Sequence, residues 1–205
     1  MPPDERVQAV CAMSIEAWGV RRRARGISIT QVGIGGSAAP GDASIVISAG
    51  LCGGLLTDQA PGTVVIATTV SDETGATHDC DPTVAARLER AARSLGYPVV
   101  IGSLVSTSAL VTGSGRGDWA GRGHVAVDME SAAAAATAPR FGTVRVILDT
   151  PRHELSPAWV NPGRAIRNPA NWREALWLAI HTPRFALRVG AVLEAAFLRD
   201  IDAEV

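Results

Sequence analysis

Short β-branched runs, each closed by glycine or a turn, alternate along this chain with alanine- and arginine-rich stretches of helical spacing. Parallel strands need long crossover connections, usually helical, so this alternation selects an α/β domain with a largely parallel or mixed sheet. Strands are expected over residues 7–12, 27–32, 43–48, 62–70, 99–105, 124–127 and 143–148. Helices fit between several of them, over 16–25, 82–95 and the alanine-rich 129–137. The 205 residues suffice for one domain, 1–205, with a continuous core.

The tail differs. Asn171 followed by Glu174 resembles a capping box for a helix over 172–181, and Thr182-Pro183 offers a fresh cap and first-turn proline for a second. A carboxy-terminal helix pair is therefore expected over 171–200. Phe185, Val189, Val192, Leu193, Ala196 and Phe197 recur at helical spacing as one apolar stripe, with Arg184, Arg188 and Arg199 to one side. Two readings fit: an outer pair packing on the sheet or on a second subunit, and peripheral membrane contact through Trp172, Trp177 and the arginines.

Composition narrows the partners. A net charge of −1 provides no overall positive field for nucleic acid or anionic membranes, although local patches remain open. Cys11, Cys52 and Cys80 are odd in number and far apart, which argues against a disulfide framework and a zinc site. His78, His124, His153 and His181 are scattered, so no metal is expected. The start of the chain lacks a signal-peptide pattern and no apolar run reaches about 18 residues, so a cytoplasmic protein is expected.

Four segments carry chemistry. Ser48 to Leu55, with Gly50, Gly53 and Gly54, follows a hydrophobic strand and reads as a tight turn that can bring amide groups close to an anion or a ribose. Val127-Asp128-Met129-Glu130-Ser131 stands where a strand gives way to a helix. There Glu130 can accept hydrogen bonds from a sugar diol or simply complement the helix dipole, while Met129 alone reads as core. Val144 to Pro151 is an apolar strand ending in Asp149, at the carboxyl edge where ligands gather in open α/β sheets. Arg145 within it needs a partner if buried. Met13 to Glu16 passes from the first strand into a helix, where Glu16 can be an ordinary first-turn acid.

In this order and at these separations the four segments resemble the purine nucleoside phosphorylase and nucleosidase superfamily, especially the methylthioadenosine/S-adenosylhomocysteine nucleosidases. Met13 to Glu16 is similar to that family's early Ala-Met and catalytic glutamate, Gly50 to Leu55 to its glycine-rich turn, and Val127 to Glu130 to its Met-Glu ribose clamp. Arg145 and Asp149 fall on its final Arg and Asp. The resemblance implies a three-layer αβα sandwich with a central mixed sheet. It also implies cleavage of the N-glycosidic bond of an adenine-type nucleoside. Asp149 would share or donate a proton at purine N7, Met129 and Glu130 would hold the ribose, Glu16 would activate water in a hydrolase or sit near the nucleophile in a phosphorylase, and Arg145 would orient that nucleophile. No cofactor is implied, phosphate being a co-substrate in the phosphorolytic alternative, and a homo-oligomer is expected. Leu51 and Leu148 stand where the nucleosidases have serines, and Leu110 where they stack a phenylalanine on the base. The Gly-Leu-x-Gly-Gly-Leu segment, the Val-Asp-Met-Glu-Ser motif and the basic tail are similar to hopanoid-associated phosphorylases, which implies an adenosyl group on a triterpenoid as substrate.

Overall fold

A computed structural model describes residues 5–36, 41–160 and 162–199. Residues 1–4, where a leader was looked for, lie outside them. The expected strands form as β1 (Val7–Cys11), β2 (Ser28–Gln31), β3 (Ile45–Gly54), β4 (Val64–Asp72), β6 (Val99–Ser106), β7 (His124–Asp128) and β8 (Phe141–Asp149), with a three-residue β5 (Thr77–Asp79) added. The helices are α1 (Ser14–Arg23), α2 (Pro82–Ser94), α3 (Ser114–Gly121), α4 (Ser131–Ala135), α5 (Pro162–Ala165) and α6 (Trp172–Phe197).

The sheet is mixed. Strands run in the order β2-β1-β3-β7-β6-β4-β5, and β8 pairs with both β3 and β4. The pairings β3–β8, β8–β4, β4–β6, β6–β7 and β7–β3 close a ring of five strands. β1 and β2 continue from the first half of β3, in parallel.

Side chains alternate across a strand, and β3 shows what each side does. Ile45, Ile47, Ala49 and Leu51 enter the larger core beneath α1, α2 and α6. Val46 and Cys52 enter the core that holds Ala132, Ala134 and Ala135 of the α4 segment. Helices therefore cover both faces, as the layered expectation required. Gly19 of α1 and Gly190 of α6 let those helices meet: a Cβ on Gly19 would stand 2.3 Å from the Ala186 carbonyl oxygen, and one on Gly190 2.3 Å from that of Gly19.

Two expectations are corrected. The glycine-rich segment is not a turn, because β3 runs on to Gly54 and pairs there with β8 and β7. Its glycines answer to crowding: a Cβ on Gly50 would stand 2.3 Å from Glu16 Oε1, and one on Gly54 2.7 Å from Gln59 Oε1. Nor is the tail a helix pair. α6 is one 26-residue helix with Pro183 inside it. The proline removes the donor that would meet the Ala179 carbonyl, but Ala179 lies on the exposed side, where water can serve it. The Asn171–Glu174 capping box does not form, since the Asn171 side chain makes no cap bond. Glu174 turns instead to the Ser156 amide at 2.8 Å and to Trp159 Nε1 at 2.6 Å.

Candidate active site

The parallel register sets Gly50 of β3 beside Arg145 of β8, and after a one-residue irregularity sets Gly53 beside Asp149. Arg145 and Asp149 are four residues apart, so they point to one side of β8, their Cα atoms roughly 10–13 Å from each other. Two polar clusters form there, one around each residue.

The first is built on Arg145, which is 1 % exposed. Its Nη2 lies 2.7 Å from Asp128 Oδ2, 3.3 Å from Glu130 Oε2 and 2.6 Å from Ser48 Oγ, and Nη1 donates to the Leu51 carbonyl at 3.2 Å. Among the described residues its Nε has no partner. Glu16 reaches the same place from the start of α1. Its Oε1 accepts from the Leu51 amide at 2.7 Å and its Oε2 from the Met13 amide at 2.8 Å. Glu130 Oε1 accepts from the Gly35 amide at 3.1 Å. Only glycine fits at position 50, between Glu16 and the Arg145 guanidinium, because a Cβ would also come within 2.8 Å of Nη1.

This cluster carries three carboxyl groups and one guanidinium. Burial pushes the Glu16 pKa above its ordinary value, opposed by Arg145 and by the two amides. Burial also works against the charge on Arg145, but Asp128, Glu130 and Glu16 outweigh it and raise the pKa of that guanidinium. Arg145 is a fixed cation.

The second cluster is built on Asp149, 6 % exposed. Its Oδ2 is ion-paired with Nη2 of Arg116, itself 1 % exposed, and accepts weakly from the Leu155 amide at 3.4 Å. Arg116 also donates to the Gly54 carbonyl at 2.7 Å and to Glu154 Oε1 at 3.0 Å. A Cβ on Gly53 would stand 3.1 Å from Arg116 Nη1 and 3.3 Å from Asp149 Oδ1. Burial raises the Asp149 pKa, against the pull of Arg116.

The expected residues thus divide, with Glu16, Glu130, Gly50 and Arg145 at one end and Gly53 and Asp149 at the other. Met129, half-buried, sits between Asp128 and Glu130 at the end of β7. Leu110 is 44 % exposed in the loop between β6 and α3. Leu51 sends its side chain into the core under the helices and offers the site only its main chain.

Three participants escaped the sequence reading. Asp128 holds Arg145, and its Oδ1 accepts from Ser106 Oγ at 2.6 Å and from the Ser131 amide at 3.2 Å, so it fixes the strand-to-helix corner. Ser48 was read only as the start of the glycine segment. Arg116, among the glycines of α3, gave no signal at all. Two surface cavities, of about 460 and 570 Å³, lie elsewhere, beside Trp119 and His124 and beside Arg164 and Asn171.

The sequence model of the Phosphorylase superfamily matches residues 27–156. No sequence among curated proteins matches. Solved structures similar in fold include a Neisseria meningitidis 5'-methylthioadenosine/S-adenosylhomocysteine nucleosidase in complex with methylthio-immucillin-A. It is 19 % identical with a TM-score of 0.70, over 93 % of this chain and 97 % of that one. A Helicobacter pylori nucleosidase mutant with 5'-methylthioadenosine in its active site has 12 % identity and a TM-score of 0.69, covering 94 % and 97 %. The futalosine hydrolase of Helicobacter pylori gives the same identity, TM-score and coverage.

Proposed function

Because the chain belongs to the phosphorylase superfamily, we propose that it cleaves the N-glycosidic bond of an adenine-type nucleoside and that water is the nucleophile. The observation that carries the reading is the spacing of the two clusters on β8. A buried carboxyl of raised pKa, Asp149, and a second group of carboxyls gathered on Arg145 stand at positions four residues apart on one strand, β8.

In this reading the base lies toward Asp149, which gives a proton to purine N7 as the glycosidic bond lengthens, making the base a better leaving group. The ribose lies toward Met129 and Glu130, with Glu130 accepting from its hydroxyls. Glu16 takes a proton from the attacking water. Arg145 holds Glu130 in place, and its unpartnered Nε–H is a donor for that water. Leu110 borders the base without stacking on it.

Water is favoured over phosphate by charge. Glu16, Asp128 and Glu130 surround a single guanidinium that is already engaged by two of them. A phosphate dianion would meet more negative than positive charge there. The substrate is read as an adenosylated hopanoid, with the hopanoid at the ribose 5' position, on the likeness of the glycine segment, the Val127–Ser131 motif and the basic tail. Methylthioadenosine is the alternative, favoured by the fold shared with the nucleosidases.

The test is adenine release from methylthioadenosine, 5'-deoxyadenosine and an adenosylated lipid, each with and without phosphate. Release independent of phosphate is expected. Strict phosphate dependence would overturn the choice of water, and silence with all three substrates would overturn the catalytic reading.

A further inference from the structure

We propose that the outer face of the first half of α6 docks on an anionic lipid surface. Trp172 is 61 % exposed, Leu176 63 % and Ile180 40 %. At about 100° per residue they occupy an arc of about 80°, and Ile166, 56 % exposed, precedes them. Monomeric proteins seldom present so many large apolar groups side by side without a use.

Charge selects the occupant. Arg173 and Arg184 project within about 40° of the Ile180 edge of the arc, and both are exposed. Among the described residues neither is in an ion pair. From residue 152 to residue 188 the chain carries six arginines and two acids, a local excess of four positive charges in a chain of net −1. Both acids are turned to other work, Glu154 to Arg116 and Glu174 to Ser156 and Trp159. The surface is therefore an apolar stripe with cations along one edge, an arrangement that suits a helix lying in the headgroup region of an anionic membrane. A second copy of the chain fits it less well, since a twofold contact would bring the same arginines toward each other. No helix among the described residues is long and apolar enough to cross a membrane, so the contact is with the surface.

Two residues named in the sequence reading drop out. Trp177 packs inward on His181 and His153, with ring centroids 4.3 and 4.6 Å away. Arg188 lies over the Tyr97 ring and donates to the Gly62 carbonyl. The lipid face is instead tied to the Asp149 loop, because Leu155 contacts Asp149 and the adjoining Ser156 amide is held by Glu174 of α6. A docked helix would bring that loop to the membrane surface.

The proposal stands apart from the catalytic reading, because binding is measured without turnover. The full chain is floated with vesicles of phosphatidylcholine alone and with about one third phosphatidylglycerol, an anionic headgroup of the kind that attracts arginine. Binding to the anionic vesicles, weakened by salt, is expected. Arg173→Glu with Arg184→Glu should lower the partition coefficient at least about tenfold. Leu176→Ser with Ile180→Ser should lower it as well, while leaving Trp172, whose indole donates to the Ile166 carbonyl, in place. Circular dichroism and melting confirm that each variant is folded. Absence of binding to anionic vesicles, or equal binding to neutral ones, overturns the proposal. So does a concentration-dependent dimer that these substitutions dissolve, which would assign the face to a second copy.

Discussion

Asp149 and Glu16 are both carboxyls whose burial raises their pKa, but the proposed reaction needs them in opposite states. Asp149 must hold its proton and Glu16 must have lost its own. The rate, as kcat/KM, is expected to climb with pH as Glu16 ionises and to fall as Asp149 does, a bell whose limbs both lie above the ordinary carboxylate range. Asp149→Asn should cost on the order of 10²–10⁴ in rate and leave the fold intact, and a near-wild-type rate would remove Asp149 from the mechanism. The same burial has a cost in stability. A carboxyl whose folded pKa exceeds its unfolded one contributes stability that is complete below the unfolded value and is lost as pH rises through the folded one. Glu16→Gln cannot ionise, but its NH2 would face either the Leu51 or the Met13 amide, both donors, so it should abolish most activity and lower Tm at neutral pH, an outcome read by parallel melts and assays. Arg116→Met should also destabilise the fold, because it leaves the buried Asp149 without its cation; breaking such a buried pair costs about 3–5 kcal/mol, visible as a lower denaturation midpoint.

Among the elements, the strands were legible because β-branched runs meeting glycines allow little else, and α2 because its spacing is amphipathic; the structure adds the cap, Asp81, which accepts from the Thr83 and Val84 amides. What could not be read is non-local. Gly50 to Gly54 carry the composition of a turn, and only the approach of Glu16 and Arg116 from distant parts of the chain, with Gln59 folding back from the loop after β3, explains why a strand needs them. Arg116 lies in a helix with three glycines among eight residues, a poor helix former that composition assigns to a loop. Its role depends on Asp149, thirty-three positions away. The α1–α6 contact is likewise invisible until Gly19 and Gly190 are seen face to face. Gly190→Ala must push two backbones apart, since its Cβ would strike a carbonyl oxygen rather than a side chain. A loss of about 1–3 kcal/mol is expected, which in a domain of this size lowers Tm by roughly 2–4 °C per kcal/mol.

At the scale of the molecule, the ring of β3, β8, β4, β6 and β7 leaves none of those five strands with both sides free. Opening any of them requires breaking pairings along two neighbours, so their amides should exchange with solvent as one slow group, after those of the α5 region, where Ile166 and Arg167 are exposed. Cys52 lies in β3 of the ring, Cys11 at the end of the neighbouring β1 and Cys80 just after β5, and all three are buried. Burial pushes the Cys11 and Cys80 thiols up to about 12 and raises Cys52 as well. A thiolate is the reactive form, so the folded protein should be inert to a thiol reagent. Labelling therefore counts openings of the fold, those of the ring at Cys52 and those beside it at Cys11 and Cys80. If the ring and the segments beside it open as one unit, the three sulfurs will be marked together at one rate, and the protein carries its own clock for how often it comes apart.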